Sequence, residues 1–258
     1  VFTLKDKKPS ENQYVQMLLL WLSHSIHANI LSEQDSLKLF IDSVTYTYLT
    51  TNTHFSLLLS KLPCTPAMFL FESPTTLLEG CSWKYLIDVD SYKQAIVMYC
   101  DIDIYLCKPL GLFCKSLESN TLYVHPEGPI HDPNYGAHFS KEELEKIPAN
   151  SVGFSAGKFI LTGKEVAKTF LHSVRWFLSK SLTTTYYCLE QPIFNYAIYR
   201  NPTIHVNITT LTPVISVNFK GYTKDSTVFL DCMGEPGNGS LHLEKFVQAM
   251  CLFHIGIL

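Results

Sequence analysis

The 8 cysteines include no Cys-x-x-Cys pair, and the chain has no cluster of Lys or Arg, no long apolar run, no internal repeat and no low-complexity linker. Each absence excludes something. Without paired cysteines a zinc site is not expected. Cys64, Cys81, Cys100, Cys107, Cys114, Cys188, Cys232 and Cys251 sit mostly among apolar neighbours and read as reduced, buried thiols, which favours a cytoplasmic compartment. With a net charge of −3 and scattered basic residues there is no positive field for nucleic acid. The apolar run Met17 to Leu22 falls far short of the ~20 residues that span a bilayer, and no signal-type leader precedes it. No transmembrane segment is expected, and the chain reads as soluble. Two sequons, Asn207-Ile208-Thr209 and Asn238-Gly239-Ser240, keep a secretory lumen open if a leader has been removed. The start on Val-Phe-Thr-Leu without Met reads as a domain cut from something longer.

What is present is a large apolar complement. With 258 residues, 47% apolar and 17% charged, the chain has enough material for one substantial core. Val1 to Leu4 reads as a short strand, followed by a helix with Tyr14, Leu18, Trp21, Leu22 and Ile26 on one face. Leu37 to Ile41 and Ala67 to Phe71 read as strands, with helices near Ser43 to Leu49 and Phe55 to Leu62. The succession β-α-β-α-β predicts an α/β fold with a mostly parallel sheet flanked by helices. Ser140-x-x-Glu143 reads as a capping box opening a helix from Lys141 to Ile147, and Thr162-x-x-Glu165 as another opening a helix through Leu178. Val166, Phe170, Val174, Phe177 and Leu178 would be its core stripe. The stretch Tyr123 to Ala149, rich in His, Pro and Gly, reads as a surface loop. One domain over 1–258 is the economical reading.

The apolar segment Ala95 to Leu106 carries Asp101 and Asp103, two carboxylates one residue apart. In a strand, residues i and i+2 point to one side, so the pair could converge on a hard divalent cation that wants oxygen ligands. The spacing alone is a weak signal. A second copy, Asp88-Val89-Asp90, is followed by polar Ser91 to Gln94 and reads as a turn. The alternative for Asp101 and Asp103 is a solvated strand end.

Further segments, in order, turn this pattern into a resemblance covering nearly the whole chain. Val1 to Leu4 with Asn12-Gln13-Tyr14, then Trp83-Lys84-Tyr85, then Asp101-Ile102-Asp103, then Ser155-Ala156-Gly157, then Glu190-Gln191-Pro192, and finally Leu230 to Ser240 are similar to the motifs of GT-A nucleotide-sugar glycosyltransferases. The chain most resembles family 8, the glycogenin-like type. The resemblance implies a Rossmann-like sheet with the nucleotide half in 1–120 and the acceptor and sugar half in 121–258. It implies that Thr3, Leu4 and Tyr14 contact the base, Tyr14 being alternatively a core residue of its helix. It further implies that Lys84 faces the donor phosphates, that Ser155, Ala156 and Gly157 line the sugar, and that Glu190 and Gln191 face the anomeric carbon. Asp231 stands where the family has a metal-binding His and would join Asp101 and Asp103 around Mn2+ or Mg2+. Gly234, Gly237 and Lys245, with His242 nearby, would hold the pyrophosphate. Ser155 replaces the usual Asn.

The implied activity is transfer of a sugar from a nucleotide-sugar donor, a UDP-sugar by the Tyr14 segment, to a hydroxyl of a glycan, protein or small-molecule acceptor, with retention. The region of His125, His131, Tyr135 and His138 would cover the acceptor. Two alternatives stand: a non-catalytic nucleotide-sugar-binding relic, and an Asp-nucleophile phosphatase, whose fold wants its Asp-x-Asp on the first strand.

Overall fold

The computed structural model describes residues 1–91, 96–181, 186–215, 219–223, 226–233 and 240–255. Along the chain run α1 (Gln13–His27), β1 (Lys38–Asp42), α2 (Ser43–Thr50), α3 (Thr53–Lys61), β2 (Ala67–Phe71), α4 (Leu77–Ser82), β3 (Ile96–Cys100), β4 (Ile104–Leu106), α5 (Leu110–Cys114), β5 (Thr121–Pro129), α6 (Pro133–Gly136), α7 (Lys141–Leu144), β6 (Val152–Thr162), α8 (Lys164–Ser181), α9 (Gln191–Tyr199), β7 (His205–Asn207), β8 (Val214–Ile215), β9 (Phe229–Asp231) and α10 (Ser240–Ile255). The chain forms two compact units. The first comprises Val1–Thr76, Asp101–Ser116 and Pro213–Leu258, the second Leu77–Cys100 and Leu117–Thr212.

In the first unit β1 and β2 pair in parallel, and a three-stranded sheet runs β4-β9-β8, antiparallel then parallel. Asn12 opens α1 by accepting the Tyr14 N–H, and the helix buries Val15, Met17, Leu18, Trp21 and Leu22. Its His24 is fully buried against the Leu106 carbonyl and the ring of Tyr105. Residues 1–4 form no strand. Asn12 Nδ2 donates to the Phe2 carbonyl at 2.8 Å, and the Thr3 N–H donates to Asp42 at 2.9 Å, so side chains do the work of a ladder.

Asp42 is the fully buried N-cap of α2, accepting from Thr45 N at 3.0 Å and Ser73 Oγ at 2.7 Å as well as from Thr3. Burial pushes its carboxyl up, but the hydrogen bonds from Thr45, Ser73 and Thr3 together outweigh burial and leave the pKa lowered. We therefore expect Asp42→Ala to cost about 2–4 kcal/mol at pH 7, since several buried donors lose a charged acceptor. Because the folded pKa lies below the unfolded value of about 3.9, this contribution is present above that value and is lost as pH falls through the folded pKa. Urea unfolding of both proteins at pH 7 and pH 3 checks it; a gap unchanged at pH 3 would refute an electrostatic origin.

The second unit is built on a four-stranded sheet, β3-β6-β5-β7, with β6 antiparallel to both neighbours and β7 parallel to β5. Sheets in this protein are therefore mixed, not mostly parallel. Phe159 of β6 packs against Phe170 of α8 and Phe194 of α9, with ring centroids 5.9 and 5.7 Å away, and all three are fully buried. Each such ring contributes about 1.5–3 kcal/mol on burial. The buried face of α8 centres on Ala167, Phe170, Leu171, Val174 and Leu178, so Val166 and Phe177 lie at its margins.

Two local expectations change here. Thr162 does not cap α8: it ends β6 and donates its hydroxyl to Glu118 O, and α8 starts only after Gly163, whose φ of 86° reverses the chain. Tyr123 to Ala149 is not a surface loop. Its first part is β5, whose Thr121 to His125 are buried, and Ile130, Tyr135 and Phe139 form a small core with Leu144, Tyr196 and Tyr199. The Ser140–Glu143 capping box is present, on a helix that is only Lys141–Leu144.

Candidate functional site

The sheet of the second unit carries an irregularity where chemistry is expected. Between Val124 and His125 the β5–β6 register jumps, pairing Val124 with Phe159 but His125 with Ser155. Ala156, Gly157 and Lys158 are thus left out of the β5 ladder. A bulge of this kind re-aims backbone groups that must find other partners. Gln191 supplies one: its Oε1 accepts the Ala156 N–H at 3.0 Å, while its Nε2 donates to Asn134 O at 3.4 Å. Lys84 supplies the other, its Nζ donating to the Ala156 carbonyl at 2.9 Å.

The same Lys84 ammonium lies 2.7 Å from Glu190 Oε1, with the two side chains 3% and 6% exposed, and 4.9 Å from the Tyr99 ring centroid. Glu190 is the N-cap residue of α9 but makes no side-chain cap, so its carboxylate is turned to the lysine. Asn195, one turn on from Gln191, holds Phe154 through both N–H (2.7 Å) and C=O (2.9 Å) and so locks α9 to β6. Lys84, Ser155, Ala156, Gly157, Glu190 and Gln191, singled out on three separate segments, are brought together here. Lys84 was expected to face phosphates; its ammonium is paired with Glu190.

In the first unit the Asp101–Asp103 pair is not on a strand. β3 ends at Cys100, β4 begins at Ile104, and Asp101-Ile102-Asp103 is a turn closed by Ile104 N–H donating to Asp101 O at 3.1 Å. Strand alternation therefore does not decide where the two carboxylates point. Cys232 N–H donates to Asp103 O at 3.0 Å, which brings the end of β9 to this turn. Asp231 Oδ1 accepts from Met233 N at 3.1 Å, and Lys245 Nζ donates to Met233 O at 3.2 Å. Asp103 Oδ2 stands 3.4 Å from His242 Nδ1, a buried nitrogen without a hydrogen-bond partner among the described residues, and the His242 ring is 5.8 Å from that of Tyr14.

Among the described residues no three His, Cys, Asp or Glu side chains form a ready metal-holding group. Asp101, Asp103 and Asp231 are thus not assembled into the expected shell. The pair Asp103–His242 does fit a cation. Adjacent ligands at about 2.1 Å from an octahedral ion stand about 3.0 Å apart, so the observed 3.4 Å would close by about 0.4 Å around one. The carboxylate oxygen suits Mn2+ and Mg2+ alike, whereas an imidazole nitrogen favours a transition metal such as Mn2+ over Mg2+. Thr3 is buried, with its N–H on Asp42 and its hydroxyl 2.7 Å from that of Thr45, while Leu4 and Tyr14 are half-buried. Gly234 and Gly237 lie outside the described residues.

Asn134 and Asn195 carry this geometry without having been assigned to it from sequence, whereas His242 was expected near the pyrophosphate and His125 in the region over the acceptor. Asn195 had a legible signal, an amide four residues after Gln191 on an otherwise apolar helix. His131 and His138 are engaged elsewhere, with Leu144 O at 3.1 Å and the Tyr186 hydroxyl at 2.6 Å.

The sequence matches no protein-family model and no curated protein. Solved structures do match. The apo structure of the bifunctional glycosyltransferase WbbM superposes with a TM-score of 0.55 at 15% identity, covering 92% of this chain and 47% of that one. This chain thus spans about half the length of WbbM. The apo structure of mouse xyloside xylosyltransferase 1 gives a TM-score of 0.53 at 12% identity, covering 91% of this chain and 96% of that one. The chain has the α/β fold of the GT-A type, a sheet flanked by helices and partly parallel, that these glycosyltransferases share.

Proposed function

We propose that this chain is a nucleotide-sugar glycosyltransferase, similar to family 8, that transfers a sugar from a UDP-sugar to an acceptor hydroxyl with retention. The acceptor class is a glycan, protein or small molecule. The observation that carries this reading is the convergence of Lys84, Ala156, Glu190 and Gln191 on one bulged strand, in the places the resemblance gives to the sugar side. The fold supports it. The phosphatase alternative is disfavoured because Asp101 and Asp103 follow the third strand, β3.

On this reading Tyr14 offers a half-buried ring to the base, and Asp103 and His242 would hold the cation beside the donor diphosphate. A bound Mn2+ or Mg2+ supplies a Lewis acid that offsets charge developing on the leaving diphosphate. Glu190, held 2.7 Å from Lys84, places a carboxylate for an oxocarbenium-like transition state. Gln191 holds the Ala156 segment in the shape the sugar meets. One observation favours a binding relic instead: the polar atoms of Gln191 and the Lys84 ammonium are already engaged by the scaffold.

Thermal unfolding with UDP, GDP and UDP-sugars, each with and without Mn2+, tests the reading. We expect a manganese-dependent shift with UDP of roughly 5–10 °C at ligand 100-fold above Kd, from about 2.7 kcal/mol of linkage. No shift with any nucleotide would sink the donor site. Hydrolysis of the best-stabilising UDP-sugar then separates a transferase from a relic.

A further inference from the structure

His125 presents a buried polar atom that the scaffold leaves unsatisfied. The side chain is 6% exposed, and its Nδ1 has no hydrogen-bond partner among the described residues. Buried polar atoms in native structures are nearly always paired, so an orphan on a designed-looking bulge asks for a ligand. Its position is specific. His125 is the cross-strand partner of Ser155 at the register jump, and directly paired residues present their side chains on one face. Ser155 Oγ accepts from Gly157 N at 3.3 Å, which leaves its own O–H as a donor. The neighbouring Ala156 is held by Gln191 and Lys84.

Burial, and then the charge of Lys158, pushes the His125 pKa down to about 4. At neutral pH the ring is therefore an uncharged imidazole with one N–H and one bare acceptor nitrogen. A sugar hydroxyl donates and accepts at once, and a neutral imidazole on the same sheet face as a serine hydroxyl is its complement.

We propose that His125, with Ser155 across the strand, binds a hydroxyl of the transferred sugar and sets which sugar the protein prefers. This rests on the glycosyltransferase reading. It extends that reading by assigning sugar selection to a β5 side chain outside the segments that carry the resemblance.

The test uses His125→Leu, which keeps bulk and removes both ring nitrogens, and His125→Gln, which returns a hydrogen-bonding group. Calorimetric titrations would use UDP, UDP-glucose, UDP-galactose, UDP-xylose and UDP-N-acetylglucosamine with Mn2+. We expect His125→Leu to melt at the wild-type temperature or above it, since an unsatisfied polar atom has been removed. UDP should bind within twofold of wild type, while the preference for the best UDP-sugar over UDP falls about tenfold, the equivalent of 1.4 kcal/mol. His125→Gln should recover part of that preference. A lowered melting temperature for His125→Leu would assign the ring a structural role and overturn the proposal. So would an unchanged sugar preference, or a wild type that binds no UDP-sugar better than UDP. Failure of wild type to bind UDP at all would instead overturn the donor site, and this inference with it.

Discussion

Lys84→Met is expected to lower the unfolding free energy by about 3–5 kcal/mol, the largest single loss anticipated for this chain, because it strands a charged Glu190 in the interior. The pair is 2.7 Å apart with both side chains nearly inaccessible, so water cannot replace the ammonium. Adding Glu190→Gln to Lys84→Met should recover most of the loss, since an amide carries no charge to desolvate. Glu190→Gln alone should cost less than Lys84→Met, because Lys84 keeps the Ala156 carbonyl as an acceptor. Urea unfolding of the four proteins gives the coupling directly. Losses that simply add to within about 0.5 kcal/mol would show that the two groups do not depend on each other. For a chain of this size the single variant should melt roughly 10 °C lower. The cycle also separates scaffold from chemistry: a double variant that is stable yet does not turn over would assign the pair to the reaction.

Asp103→Asn carries the second large effect. The carboxylate lies 3.4 Å from a buried His242 nitrogen that has no hydrogen-bond partner among the described residues, in a turn held by the Cys232 N–H. The amide keeps the shape of the side chain and removes its charge. We expect the manganese-dependent part of the UDP shift to vanish while the melting temperature without ligand stays within about 2 °C. Turnover should fall by 100-fold or more, the equivalent of about 2.7 kcal/mol of lost charge stabilisation. His242→Ala should weaken the same manganese dependence. Asp101→Asn, run in parallel, asks whether the turn brings both carboxylates to one ion. A normal manganese response in Asp103→Asn would remove the residue from the metal site.

Much of the scaffold was legible before any coordinates. The helices at Gln13–His27 and Ser43–Thr50, the strands Lys38–Asp42 and Ala67–Phe71, and the Ser140 capping box all follow from local signals: apolar periodicity, caps and turn residues. What local signals misread was sheet membership. The apolar run before Asp101 reads as a strand carrying Asp101 and Asp103 at its end, yet β3 stops at Cys100 and the two carboxylates lie on a turn before β4, which pairs in a different sheet. Thr162 matches a cap pattern but serves as the last residue of a long strand.

Sequence by itself determined the fold class and the residue types available to a site, because those depend on composition and on short-range period. Only the tertiary structure decided which of them meet. That Lys84 pairs with Glu190, that Gln191 and Lys84 share the two backbone groups of Ala156, and that His125 stands opposite Ser155 with its Nδ1 unpaired among the described residues are consequences of strand register, a bulge and helix docking. Those long-range contacts are fixed by packing and by the need to satisfy every buried polar group, and no local pattern encodes them.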